Sequence, residues 1–137
     1  MSFDLDRFVT AQEHAYVDAL LQLQRGRKTG HWIWFIFPQV AGLGRSELSR
    51  QFAITSLDEA RAYLAHAVLG ARLRECAAAI FATKDRSAEE ILGSIDAVKV
   101  RSSMTLFHRA APDEPVFAQV LECFFDGVPD AATDARL

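Results

Sequence analysis

The chain has 137 residues, which suits a single core of the usual domain size of about 100–150 residues. Half of it is apolar and 24% is charged, which excludes the composition of a disordered chain. A formal charge of −3 supplies no basic field, so nucleic acid is not an expected partner.

No run of about 18 uncharged apolar residues occurs, and no membrane association is expected. The start, Met1 to Asp6, is acidic and lacks the positively charged region of a secretory signal, which places the expected location in the cytoplasm. Cys76 and Cys123 stand alone inside apolar helical patterns and are expected as buried thiols. The histidines form no HxxxH or HExxH pair, so no metal site is expected, and no cofactor is called for.

In chain order, Thr10-Ala11-Gln12-Glu13 has the spacing of a capping box and predicts a first helix from Ala11 to about Arg25, with Val17, Leu20, Leu21 and Leu23 on its apolar side and Gly26 past its end. His31 to Phe37 is apolar without alternation; its period fits a buried strand or a short helix, and the helical surroundings favour the helix. Pro38 ends it either way. Gly42 and Gly44 mark a loop, and Ser46 caps a short helix through Phe52. Ser56-Leu57-Asp58-Glu59 opens the next helix, which breaks near His66, and a further amphipathic helix runs from Val68 to about Ala82.

Ser87-Ala88-Glu89-Glu90 opens a short helix stopped by Gly93. From about Ile95 to Arg109 a longer helix uses Ile95, Val98, Met104, Leu106 and Phe107 as its apolar residues. Asp113 is read as the cap of the last long helix, with Val116, Phe117, Val120, Leu121, Phe124 and Phe125 on its apolar face. Asp126, Asp130 and Asp134 follow as an acidic end facing solvent. The expected fold is all-α: residues 1–137 form one compact multihelical domain of about six or seven helices.

The segment His31-Trp32-Ile33-Trp34-Phe35-Ile36-Phe37-Pro38-Gln39, with Gly42-Leu43-Gly44-x-Ser46 and Ser49, resembles the signature of the family called domain of unknown function 1810, whose bacterial members are often labelled calpastatin-like. Ile54-x-Ser56-x-x-Glu59-Ala60-x-x-Tyr63-Leu64, Leu69-Gly70-x-Arg72-Leu73 and Ile95-Asp96-x-x-Lys99-x-x-Ser102-Ser103-Met104-Thr105-Leu106-Phe107 extend the resemblance over nearly the whole chain. It implies a compact, mainly helical fold and no particular activity. A calpain inhibitor is expected to be disordered and repetitive, unlike this chain. Ala67 stands where the family pattern calls for proline.

The aromatic segment is the first candidate site. Trp32 and Trp34 either pack in the core, as tryptophans in such an apolar run more often do, or offer planar faces for a ring, with Trp34 the better placed to line a cleft and Gln39 or His31 the polar edge. Gly44 and Ser46 suit the close approach of an anion, with Arg72 in support. Arg25, Arg27, Lys28, Arg45 and Arg50 flank the segment and form either a patch that holds an anion or, the more common case, a solvated rim. Asp96, Lys99 and Ser103 share one helix face, beside Ser102, in a spacing that admits a serine–lysine dyad or an ordinary ion pair. No catalytic residue is assigned; Lys99, Ser103 and His31 are the candidates. The expected ligand set is Trp32, Trp34, Gln39, Gly44, Ser46, Arg72 and Ser102, around a small anionic or nucleotide-like molecule. The alternative is a non-catalytic protein–protein interaction module.

Overall fold

The computed structural model describes residues 3–137, and these described residues contain ten helices. They are α1 (Asp6–Gln12), α2 (Tyr16–Gln24), α3 (Ile33–Ile36), α4 (Glu47–Gln51), α5 (Leu57–Ala65), α6 (Leu69–Ala82), α7 (Ala88–Leu92), α8 (Ser94–Ala110), α9 (Pro115–Phe125) and α10 (Ala131–Asp134). The all-α expectation holds, but the count exceeds six or seven. Two short helices, α1 and α10, account for part of the difference. The predicted first helix is two, and a final turn follows Pro129.

Thr10 lies inside α1 and caps nothing, because the chain breaks at Glu13–Ala15. That break turns Phe8 and Gln12 into the core and leaves Val17 and Leu21 exposed on α2. The start of α5 is held differently from a full capping box. Ser56 Oγ accepts from the Glu59 amide at 3.1 Å, but the Glu59 carboxylate turns to the Thr55 amide at 2.8 Å and to the Arg7 guanidinium at 3.2 Å. Arg7 also donates to the carbonyls of Gln51 and Ala53, so this buried acid ties α1 to the segment before α5. Ser87 and Glu90 do form the full reciprocal box.

With alanine at position 67, the break before α6 falls to His66, whose Nδ1 accepts from the amides of Val68 and Leu69. Glu114 rather than Asp113 is the N-cap of α9, because Pro115 fixes the first helical position and needs no amide partner. Gly93, at φ +83°, joins α7 to α8 in a conformation that a side chain would strain.

Helix α8 is the hub: α3, α5, α7, α9 and α10 all pack on it. Phe52, Phe8, Tyr63, Phe107 and Phe117 form a chain of aromatic contacts, each centroid no more than 6.0 Å from the next. Beside it, Val40 and Ile54 make an isolated parallel bridge, with Ala41 donating to the Ile54 carbonyl and Ile54 to the Gln39 carbonyl. This bridge closes the loop that carries Gly42, Gly44 and α4. Ile95 and Val98 face outward, 72% and 59% exposed, against the expectation that they join the core. Among the described residues, no helix is long and apolar enough to cross a membrane.

The two cysteines part company. Cys76 is buried as expected, and burial, with help from the Glu75 charge, pushes its thiol up to about 12; Cys123 is exposed. Native protein therefore reacts with a disulfide reagent at one thiol per chain, and the second appears only in denaturant. Because the Cys76 pKa is raised on folding, its contribution to stability is complete below the unfolded value near 8.5 and is lost as the pH climbs toward 12. Tyr63, raised above its ordinary value by burial, acts in the same direction. The melting temperature is expected to fall from about pH 8.5 upward, and Cys76→Ala to flatten part of that fall.

Candidate functional site

A cleft of about 520 Å³ opens along the outer side of α8. Its floor is the helical stripe Ile95, Val98, Lys99 and Ser102, which the spacing of three or four residues places on one face. One wall is the loop closed by the Val40–Ile54 bridge, contributing Gln39, Leu43, Gly44 and Ser49; the other is Asp130 and Ala132 at the start of α10. Apolar surface predominates, and Gln39, Ser49, Lys99, Ser102 and Asp130 add polar groups to it. The volume falls in the range of about 300–1,000 Å³ typical of small-molecule sites.

Charge is arranged around Asp96. Its Oδ2 lies 2.8 Å from Lys28 Nζ and its Oδ1 3.7 Å from Lys99 Nζ, so one carboxylate serves two ammonium groups. Each lysine also rests on an indole: Lys28 Nζ is 4.9 Å from the Trp32 ring centroid, and Lys99 Nζ is 4.9 Å from that of Trp34. The Lys28 side chain is 7% exposed, that of Asp96 17% and that of Lys99 23%. The trio carries one net positive charge, and Lys99 is its member on the cleft.

The wall residues are fixed by local bonds. Gly44 has no room for a side chain, because a Cβ there would meet the Ser49 side chain. Ser49 Oγ lies 2.8 Å from Ser46 Oγ, and Ser46 caps α4 as expected by accepting from the Ser49 amide. On the opposite wall Asp130 caps α10. Its Oδ2 accepts from Ser102 Oγ, from the Thr133 amide and from Thr133 Oγ1, while its own amide donates to Thr105 Oγ1.

Of the residues singled out by sequence, Gln39, Gly44, Lys99 and Ser102 line the cleft. Trp34, half-buried, supports Lys99, and Ser46 stands behind Ser49. Trp32 is 3% exposed, and its indole N–H donates to Gln22 Oε1 at 2.8 Å. Arg72 donates to Gln12 Oε1 and stacks on Tyr16, away from the lining residues. Ser103 is fully buried and its hydroxyl has no partner among the described residues. His31 is exposed and outside the lining. Among the described residues no group of three or more His, Cys, Asp or Glu side chains is placed to hold a metal.

Sequence reading missed Ile95, Val98, Ser49 and Asp130. The first two looked like core because apolar residues at helical spacing usually are; the signal that they line a cleft is their place on one stripe with Lys99 and Ser102. Asp130, expected in solvent, is half-buried and bonded to α8. Pro129-Asp130-x-x-Thr133 carries the mark of a helix start.

This helical, cleft-bearing chain belongs to the family described as "Protein of unknown function (DUF1810)", which it matches over residues 2–137. It is similar to the crystal structure of the conserved hypothetical protein Rv1873 from Mycobacterium tuberculosis, with 47% sequence identity and a TM-score of 0.97 over 98% of this chain and 96% of that one. No match is found among curated proteins.

The trio makes a stability test. Asp96→Asn leaves two ammonium groups, one nearly enclosed, without a counter-charge, and is expected to cost about 3 kcal/mol in urea unfolding. Lys99→Met leaves the Asp96–Lys28 pair intact and is expected to cost less than about 1 kcal/mol.

Proposed function

We propose that the cleft along α8 binds a small anionic, nucleotide-like metabolite. The observation that carries this reading is the shared carboxylate: Asp96 offsets only one of its two lysines, and Lys99 brings the remaining positive charge to the floor of a largely apolar hollow. An anionic group completes that balance. Partial enclosure strengthens the attraction, because the effective dielectric constant beside a protein surface is well below that of water.

The apolar part of the ligand rests on Ile95, Val98 and Leu43, which gain by losing contact with water at about 25 cal/mol per Å² of apolar surface covered. Gln39 supplies both a donor and an acceptor at the edge. The two indoles act behind this surface: they hold the lysines in place through their ring faces, and a planar ligand ring lies on the aliphatic floor.

Binding to the folded state raises its melting temperature through mass action. A ligand at a hundredfold excess over its Kd adds about 2.7 kcal/mol, worth several degrees in a chain of this size. Thermal melting with AMP, with ADP and with inorganic phosphate is expected to show a rise for at least one nucleotide. Lys99→Met is expected to fold normally and to weaken that binding at least tenfold. If none of the three anions moves the melting temperature of the wild-type protein, the reading is overturned and the interaction module takes its place.

A further inference from the structure

The cleft holds a second charge, opposite in sign to Lys99. Asp130 lines it, is half-buried, and has no lysine, arginine or histidine within ion-pair distance among the described residues. Its two oxygens are used unequally. Oδ2 accepts from Ser102 Oγ at 3.1 Å, from the Thr133 amide at 3.0 Å and from Thr133 Oγ1 at 2.6 Å, whereas Oδ1 accepts from no group among the described residues.

Three donors converging on one oxygen fix the carboxylate from behind and leave the other as an acceptor site. We propose that Asp130 Oδ1 reads hydrogen-bond donors on the cleft's occupant, at the end opposite the anionic group held by Lys99. This rests on the reading of the cleft as an anion site and specifies which anions it takes.

Two arguments support it. The first is repulsion: a bare polyanion filling the hollow would meet the Asp130 charge, so the cleft selects against ligands that carry negative charge at both ends. The second is reach. Lys99 and Ser102 are three residues apart on α8, about 4.5 Å along the helix axis, and Ser102 is bonded directly to Asp130. A small molecule spans that interval. Its donors are the vicinal hydroxyls of a ribose-like ring or an ammonium group; both present N–H or O–H to a carboxylate oxygen.

Matched pairs of probes test this by calorimetric titration of the full chain. AMP is compared with 2′,3′-dideoxyadenosine monophosphate, which lacks the ring hydroxyls, and leucine with 4-methylpentanoate, which lacks the ammonium. One donor-bearing member is expected to bind at least tenfold more tightly than its partner, and which pair discriminates identifies the source of the donors.

Asp130→Asn then inverts the cleft-facing atom without removing the cap. Its amide oxygen takes the place of Oδ2, asparagine caps as well as aspartate does, and its NH₂ group faces the cleft. An unchanged melting temperature of the free variant shows the fold intact, and the discrimination within the pair is expected to vanish. Equal affinities within both pairs on the wild-type protein would overturn the inference while leaving the anion site standing. Discrimination that survives in Asp130→Asn would also overturn it. Failure of every anionic probe to bind would remove the anion site itself, a separate result.

Discussion

Helix α8 carries the packing of five other helices, and that constraint organises the molecule. From Ser102 to Phe107 each residue is buried, so this stretch of the helix has no free face. Only toward its start does a stripe open outward, and there Ile95 and Val98 meet the loop after Pro38 and the beginning of α10 across a hollow instead of through direct packing. The cleft is what remains when one long helix is surrounded by neighbours too short to cover it.

Electrostatics fixes how the start of α8 meets the tryptophan segment. Asp96 reaches Lys28, which precedes α3, as well as Lys99 on its own helix, and each lysine is steadied by an indole face. Removing two ammonium groups and a carboxylate partly from water is costly, and it is tolerated because both lysines share the Asp96 carboxylate and each rests on an aromatic surface. The aromatic density of residues 32–37 thus serves two ends. Trp32, Ile33, Ile36 and Phe37 fill the core, while Trp34 stands at its boundary as the support for Lys99.

Helix boundaries with a local chemical cause were legible in the chain: Ser46, Ser56 and Ser87 cap where their hydroxyls predict, and Gly93 stops α7. What local chemistry does not encode was misread. Thr10 and Glu13 have the right spacing for a cap, but Gln12 is drawn inward, where its amide donates to the Phe35 carbonyl and to the Tyr63 hydroxyl, and α1 ends there. Of the cleft, Gln39 and Gly44 stand out in the sequence as the polar end and glycine turn beside the aromatic run, and Lys99 and Ser102 as polar neighbours of Asp96 and Ser103 on one helix. Ile95, Val98 and Asp130 do not, since an apolar side chain facing a hollow and one facing a core follow the same period, and a capping carboxylate looks like any other acid.

The bridge between Val40 and Ile54 has a consequence for how such a chain can diversify. By pinning both ends of the intervening loop with two backbone hydrogen bonds, it makes the loop a tethered appendage whose tip can lengthen, shorten or change composition at little entropic cost to the body it hangs from. The floor beneath it is carried by α8, on which five other helices pack, and the backbone there tolerates far less. Relatives with the same scaffold can therefore be expected to differ most in the rim over α8, altering what enters while the support underneath stays constant.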